Sequence, residues 1–215
     1  MDKKYGVVVT DVQGCFTTWK EGSLAVPGSN ETYVKSVEVA TRRFKKEGFF
    51  MVATQDWHPP NHVSFASNHP GKKPFDTIQI SGRVQTLWPV HCVRGTKDAE
   101  LLIDSSIFDA IIRKAQNPRF DSYSAVKDDS GTKTGLEDVL HEHGVMSLAI
   151  YGIATDFCVK ATAIDLVRAG FKVVAVEELC RGVTPETSAQ ALKQMEEEGV
   201  RLTKSLDLEE ISSLM

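Results

Sequence analysis

Four stretches of this sequence run into side chains that can attack, accept a proton or hold charge. Asp11 follows the apolar run 5–10, Asp56 and His58 follow 49–54, Lys114 follows 110–113, and Cys158 stands seven residues beyond 146–151. Where such runs are parallel strands, their carboxyl ends share one edge of the sheet, which is where open α/β folds bind ligands. A thiol, a carboxylate and an ammonium gathered there are the parts of a covalent acyl transfer. The thiol attacks a carbonyl, the carboxylate takes and returns its proton, and the cation stabilises the thiolate. If Thr155 caps a helix, Cys158 becomes its third residue, close to unpaired backbone N–H groups that lower a thiol's pKa. Position alone leaves equally open a buried, inert cysteine. Small residues at Gly152, Ala154 and Thr155 favour chemistry, because they let a substrate approach backbone donors of an oxyanion hole.

The segment Gln55-Asp56-Trp57-His58 places a carboxylate and an imidazole two residues apart, on the same side of an extended backbone. Both can reach one ion, with His62, His69 and His91 as further candidates. Mixed Asp/His sets suit zinc, manganese or iron. Cys92 beside His91 raises a second reading, a structural Cys/His zinc site, although no other cysteine is near it in sequence.

The elements that must position these residues alternate in type. Strands are predicted at 5–10, 49–54, 110–113, 146–151, 171–176 and 200–202. Helices are predicted at 31–46, with apolar residues at 34, 37, 40 and 44, at 135–143, at 155–169, with a stripe at 157, 161, 164 and 167, and at 185–198, with Pro185 in its first turn. Residues 55–102 lose periodicity, a length of loop that is usually functional, with a short helix expected near 98–102. This order specifies an α/β fold with a mostly parallel sheet and helices on both faces.

Composition is that of an ordinary globular chain: 215 residues, 41% hydrophobic and 25% charged. No apolar run is long enough for a membrane span, and the charged start followed by a six-residue strand does not read as a signal peptide. A net charge of -4 gives no basic field for nucleic acid. The local cluster Arg42-Arg43 and Lys45-Lys46 reads as the wet face of a helix. Four cysteines without CxxC spacing predict free thiols or ligands in a reducing cytoplasm. A homo-oligomer is left open.

Seven stretches together resemble the nicotinamidase (pyrazinamidase) branch of the isochorismatase-like cysteine hydrolases: TDVQGCF at 10–16, LAVPG at 24–28, TQDWHPPNHVSFASNH at 54–69, WPVHCV at 88–93, KAQNPRFDSYSA at 114–125, GIATDFCV at 152–159 and CRGV at 180–183. The likeness covers nearly the whole chain. It implies a three-layer αβα fold with a six-stranded sheet, as a single domain over 1–215 that includes a metal-binding loop region at about 55–102. It implies Asp11 as proton acceptor and donor, Lys114 as stabilising cation and Cys158 as nucleophile. One divalent metal, zinc first with iron or manganese as alternatives, would sit on Asp56, His58 and His91 with waters, and His62 ligates in some members. Phe16 and Trp88 would sandwich a pyridine ring. Backbone N–H groups of Ala154 and Cys158 would form the oxyanion hole, beside a cis Ala154–Thr155 bond. The implied activity is hydrolysis of nicotinamide, with another small planar amide or a carbamoyl compound as alternative and a non-catalytic metabolite binder as a third reading. Where the family has Asn-Asp in its opening motif, this chain has Gly14-Cys15, so a differently braced loop is expected.

Overall fold

A computed structural model describes residues 4–80 and 82–215. In chain order the elements are β1 (Lys4–Thr10), α1 (Glu31–Lys46), β2 (Phe50–Asp56), β3 (Thr77–Ile80), β4 (Arg83–Thr86), β5 (Ala110–Lys114), α2 (Leu136–Glu142), β6 (Val145–Ile153), α3 (Lys160–Arg168), β7 (Lys172–Arg181), α4 (Pro185–Glu197), β8 (Arg201–Thr203) and α5 (Leu208–Leu214). Six strands pair in the order β5-β2-β1-β6-β7-β8, every pairing parallel, and helices flank the sheet. The predicted six-stranded α/β architecture is the one found.

The central strands explain themselves. Val7, Val8 and Val9 of β1 and all seven residues of β2 are buried, as strands covered on both faces must be. Helix α1 has its predicted limits. The Asn30 side chain accepts from the Tyr33 N–H, and Val34, Val37, Ala40 and Phe44 bury one stripe against the sheet. Arg42, Arg43 and Lys46 stay exposed, so the basic cluster is indeed a solvated helix face.

Three departures matter for function. The chain from 155 does not begin as an α-helix: Thr155–Val159 is a π turn, and α3 follows. One extra residue in a turn rotates the register, so α3 buries Thr162, Ala163 and Leu166 with Ile164, while 161 and 167 of the predicted stripe are only half-buried. Second, β7 runs on to Arg181, because its pairing with β6 jumps from Ile150↔Ala175 to Gly152↔Cys180 and carries the intervening residues as a bulge. Third, residues 55–102 contain an antiparallel ladder, β3 against β4, which the loss of helical periodicity concealed. The short helix expected near 98–102 is a 3-10 turn at Lys97–Ala99.

Candidate active site

The strand-end residues converge. Asp56 ends β2 and Lys114 ends β5, and the two are register partners across the ladder. Asp11 leaves β1 in the left-handed region (φ 46°), a conformation that aspartate tolerates and that turns the chain out of the sheet. Ala115 and Cys92, next to Lys114 and His91, also have positive φ (56° and 43°). Such strain persists where surrounding contacts over-determine the backbone, and it gathers at sites. At the end of β6, Gly152 is obligatory: its φ is 131°, and an added Cβ would lie 2.1 Å from the Thr10 carbonyl oxygen. The cis peptide is Ile153–Ala154, one bond earlier than the expected Ala154–Thr155, and lies where β6 ends and the chain leaves the sheet.

Lys114 is the hub of this cluster. Its fully buried Nζ donates to Asp56 Oδ1, to the Ser122 carbonyl at 2.9 Å and to Cys158 Sγ at 3.4 Å, and lies 3.1 Å from Asp11 Oδ2. Burial alone would discharge an ammonium here, but Asp11 and Asp56 outweigh that and hold its pKa well above the ordinary lysine value. Burial, reinforced by Asp56, raises the Asp11 carboxyl, while Lys114 opposes the rise. For Asp56 the attraction of Lys114 and the contact with His58 overcome burial, and its pKa falls.

Cys158 corrects the expectation drawn from its helix-start position. It lies inside the π turn and is 6% exposed, and burial pushes its thiol well above the ordinary value despite Lys114. Desolvation of a thiolate outweighs one nearby cation and a short turn's dipole. The resting sulfur is therefore held towards its neutral thiol form. One oxygen each of Asp11 and Asp56 and the sulfur lie within 4.8 Å of one another.

Beside this cluster, Asp56, His58 and His91 bring one ligand atom each within 4.8 Å of one another. Both His58 ring nitrogens are buried without a hydrogen-bond partner among the described residues, and Nε2 lies 3.6 Å from Asp56 Oδ2. His91 donates from Nδ1 to the Pro89 carbonyl at 2.8 Å, which leaves Nε2 as the nitrogen with a lone pair. Burial and the neighbouring His58 lower the His91 pKa to about 4, so the ring is neutral near pH 7, as a ligand must be. Asp11 and Asp56 bring two buried carboxyl groups to the one ammonium of Lys114. The set of Asp56, His58 and His91 fits a divalent metal ion.

The remaining histidines separate. His62 uses Nδ1 with Ser64 Oγ (2.7 Å) and Nε2 with the Phe120 carbonyl (3.1 Å), although it also lies close to His58 and Asp121. His69 points its Nε2 at the Val63 carbonyl and belongs to neither cluster. Cys92 is bonded to Cys15 in a disulfide spanning 77 residues, which contradicts both the free-thiol expectation and a Cys/His zinc site. The bond joins the Phe16 loop to the His91 loop. It takes up the bracing expected of the altered opening motif, and the missing side chain at Gly14 leaves room for the Asp98 backbone, 3.1 Å from where a Cβ would stand. Cys158 and Cys180 are free and buried.

A cavity of about 420 Å³ opens over these groups. Phe16, Leu24 and Val26 line it together with Trp88, Tyr123, Phe157, Ala154 and Cys158, and Asp56 and His91 also face it. Phe16 and Trp88, which the resemblance assigns to the ring, both line this cavity. Sequence reasoning did not single out Tyr123, whose hydroxyl accepts from Trp88 Nε1 at 3.2 Å, nor Phe157, whose ring meets Trp88 edge-on at 5.5 Å. Asp121 was missed too, a buried carboxylate accepting from Gln85 Nε2. So was the grip of Gln13, which donates to the Asp56 and Ala99 carbonyls and accepts from the Asp56 N–H.

The model of the isochorismatase domain matches residues 5–207. The chain belongs to the isochorismatase family. Within that family it is 43% identical over 206 residues to a nicotinamidase of Acinetobacter baylyi, covering 94% of this chain and 93% of the relative. Among solved structures it is similar to a nicotinamidase/pyrazinamidase of Acinetobacter baumanii, with a TM-score of 0.85, 38% identity and full coverage of both chains. It also resembles a pyrazinamidase of Pyrococcus horikoshii in complex with zinc, with a TM-score of 0.78, 33% identity and coverage of 94% of this chain and 99% of that one. No helix among the described residues of this family member is long and apolar enough to cross a membrane.

Proposed function

We propose that this chain is an amidohydrolase that converts nicotinamide to nicotinate and ammonia through a thioester on Cys158, in NAD salvage. One observation carries the mechanism: the buried contacts of Lys114 with Asp11 and Cys158 stand at an aromatic cavity of about 420 Å³, beside the Asp56–His58–His91 cluster. A pyridine ring fits such a cavity, with Phe16 and Trp88 against its faces. A divalent ion on Asp56, His58 and His91, zinc in our reading with iron or manganese as alternatives, would supply a Lewis-acidic contact for the ring nitrogen. With both nitrogens committed, His62 braces this cluster from outside.

Cys158 attacks the carboxamide carbon as Asp11 takes the thiol proton. The carbonyl electrons move onto oxygen, where the backbone N–H groups of Ala154 and Cys158 receive the oxyanion. As the intermediate collapses, Asp11 passes its proton to the departing nitrogen and ammonia leaves. Asp11 then deprotonates water, which attacks the thioester and returns the sulfur to its thiol form. Lys114 keeps its charge throughout, offsetting the sulfur and the carboxylate in turn. We place this reaction within a single domain whose partner is a small-molecule amide.

Ammonia release from nicotinamide by metal-loaded protein, compared with benzamide and a carbamoyl compound, tests the substrate. Turnover is expected with nicotinamide and pyrazinamide and poor with benzamide, which lacks the ring nitrogen. Equal rates on benzamide would overturn the reading of the Asp–His cluster as the ring-nitrogen contact.

A further inference from the structure

Resting on that reading of Asp11, we infer that Thr54 is a positioning residue that selects which oxygen of Asp11 takes the thiol proton. Thr54 lies in β2 and is fully buried, 43 residues from Asp11 in sequence. Its hydroxyl donates to Asp11 Oδ1 at 2.6 Å. The same hydroxyl oxygen accepts from the Asp11 backbone N–H at 3.2 Å. This reciprocal pair fixes the direction of the first bond. An oxygen whose lone pair faces the N–H is left with its single hydrogen aimed at the carboxylate.

The consequence falls on the other oxygen. Asp11 Oδ2 is buried and accepts no hydrogen bond among the described residues, although Lys114 Nζ stands 3.1 Å away. With Oδ1 engaged by Thr54, Oδ2 is the atom with an open lone pair on the side of the Lys114–Cys158 contact. The left-handed backbone of Asp11 adds the second constraint, since it sets the direction in which the side chain leaves β1. Side chain and backbone of the proton acceptor are thus held from one neighbouring strand. Without the hydroxyl, the carboxylate is free to rotate about its Cβ–Cγ bond, and Oδ2 loses its fixed place beside the Lys114–Cys158 contact. A base needs geometry before it needs strength, so the loss should appear in turnover and not in substrate binding.

Steady-state kinetics on Thr54→Val and Thr54→Ser, at a temperature where each variant is folded, test this. Valine keeps the shape and removes the hydroxyl, and serine keeps the hydroxyl and removes a methyl group. The expected kcat of Thr54→Val is lower by roughly 10- to 100-fold, a fraction of what a whole general base contributes, with KM within about twofold of wild type. Thr54→Ser should recover most of that kcat. Should the valine variant not fold, Thr54→Ala is read in its place with the same expectations. A hydroxyl-free variant with wild-type kcat, or a serine variant no better than it, overturns the inference. An Asp11→Asn variant separates the two levels. Full activity there would sink the reading of Asp11 as base, whereas unchanged kcat in the Thr54 variants alone leaves that reading intact.

Discussion

Cys158→Ala is expected to abolish ammonia release from nicotinamide, with kcat falling by at least about 10⁴-fold, because the sulfur that would carry the acyl group is gone. The fold should survive the change. The thiol is neutral at rest, so its removal takes no charge from the buried cluster, and Lys114 keeps its contacts with Asp11, Asp56 and the Ser122 carbonyl. Alanine is already the residue at the neighbouring cavity position 154. The free Cys180 cannot substitute, since it is buried and its sulfur is turned to the Val176 carbonyl. Ammonia assay and a thermal melt on the same preparation check both halves. Loss of activity with a wild-type melting temperature is the expected pair, and retained activity would remove Cys158 from the chemistry.

Lys114→Met should fail in both respects. It leaves the Asp11 and Asp56 carboxylates, 0% and 5% exposed, facing each other without their cation. Breaking a buried ion pair from one side costs about 3–5 kcal/mol, because the remaining charge stays desolvated. For a chain of this length that corresponds to a fall in melting temperature of roughly 6–20 degrees. Turnover should fall as well, since the ammonium that opposes charge on Asp11 and stabilises the forming thiolate is gone. Arginine should not restore function. Its planar, larger guanidinium has no room at a fully buried position that holds four partners around one nitrogen. A melting temperature within a degree or two of wild type would show that the network does not hold the strand ends together.

Much of this was legible in the residues. Helix α1 was readable to its end positions because an unbroken apolar stripe at 34, 37, 40 and 44 and the following Gly48 are local signals, all within a few residues of what they specify. The end of β1 at Thr10 was readable because a charged residue follows an apolar run, whereas β2, β5, β6 and β7 run one to five residues past their predicted ends, since pairing with a neighbour and not residue type decides where they stop. The π turn at Thr155–Val159 was not, since its hydrogen bonds and register depend on how the turn packs against β6 and α4, and its residue types are compatible with an ordinary helix. The same holds for the thiol. A sequence places Cys158 near a helix start, but only the packing around it decides that burial outweighs Lys114. The Cys15–Cys92 bond spans 77 residues, so no local spacing announces it. Thr54, Tyr123 and Asp121 looked like ordinary strand and loop residues because their partners Asp11, Trp88 and Gln85 are distant in sequence.

The central claim is that Cys158 carries the acyl group of the amide between attack and hydrolysis. Acid quenching of the metal-loaded enzyme during turnover of nicotinamide, followed by mass spectrometry of its peptides, tests it most directly. The account predicts a nicotinoyl group in place of the thiol hydrogen on the peptide containing Cys158, absent before substrate is added and gone once substrate is exhausted. Turnover with no acylated peptide at any quench time, or with the acyl group on another residue, would contradict it.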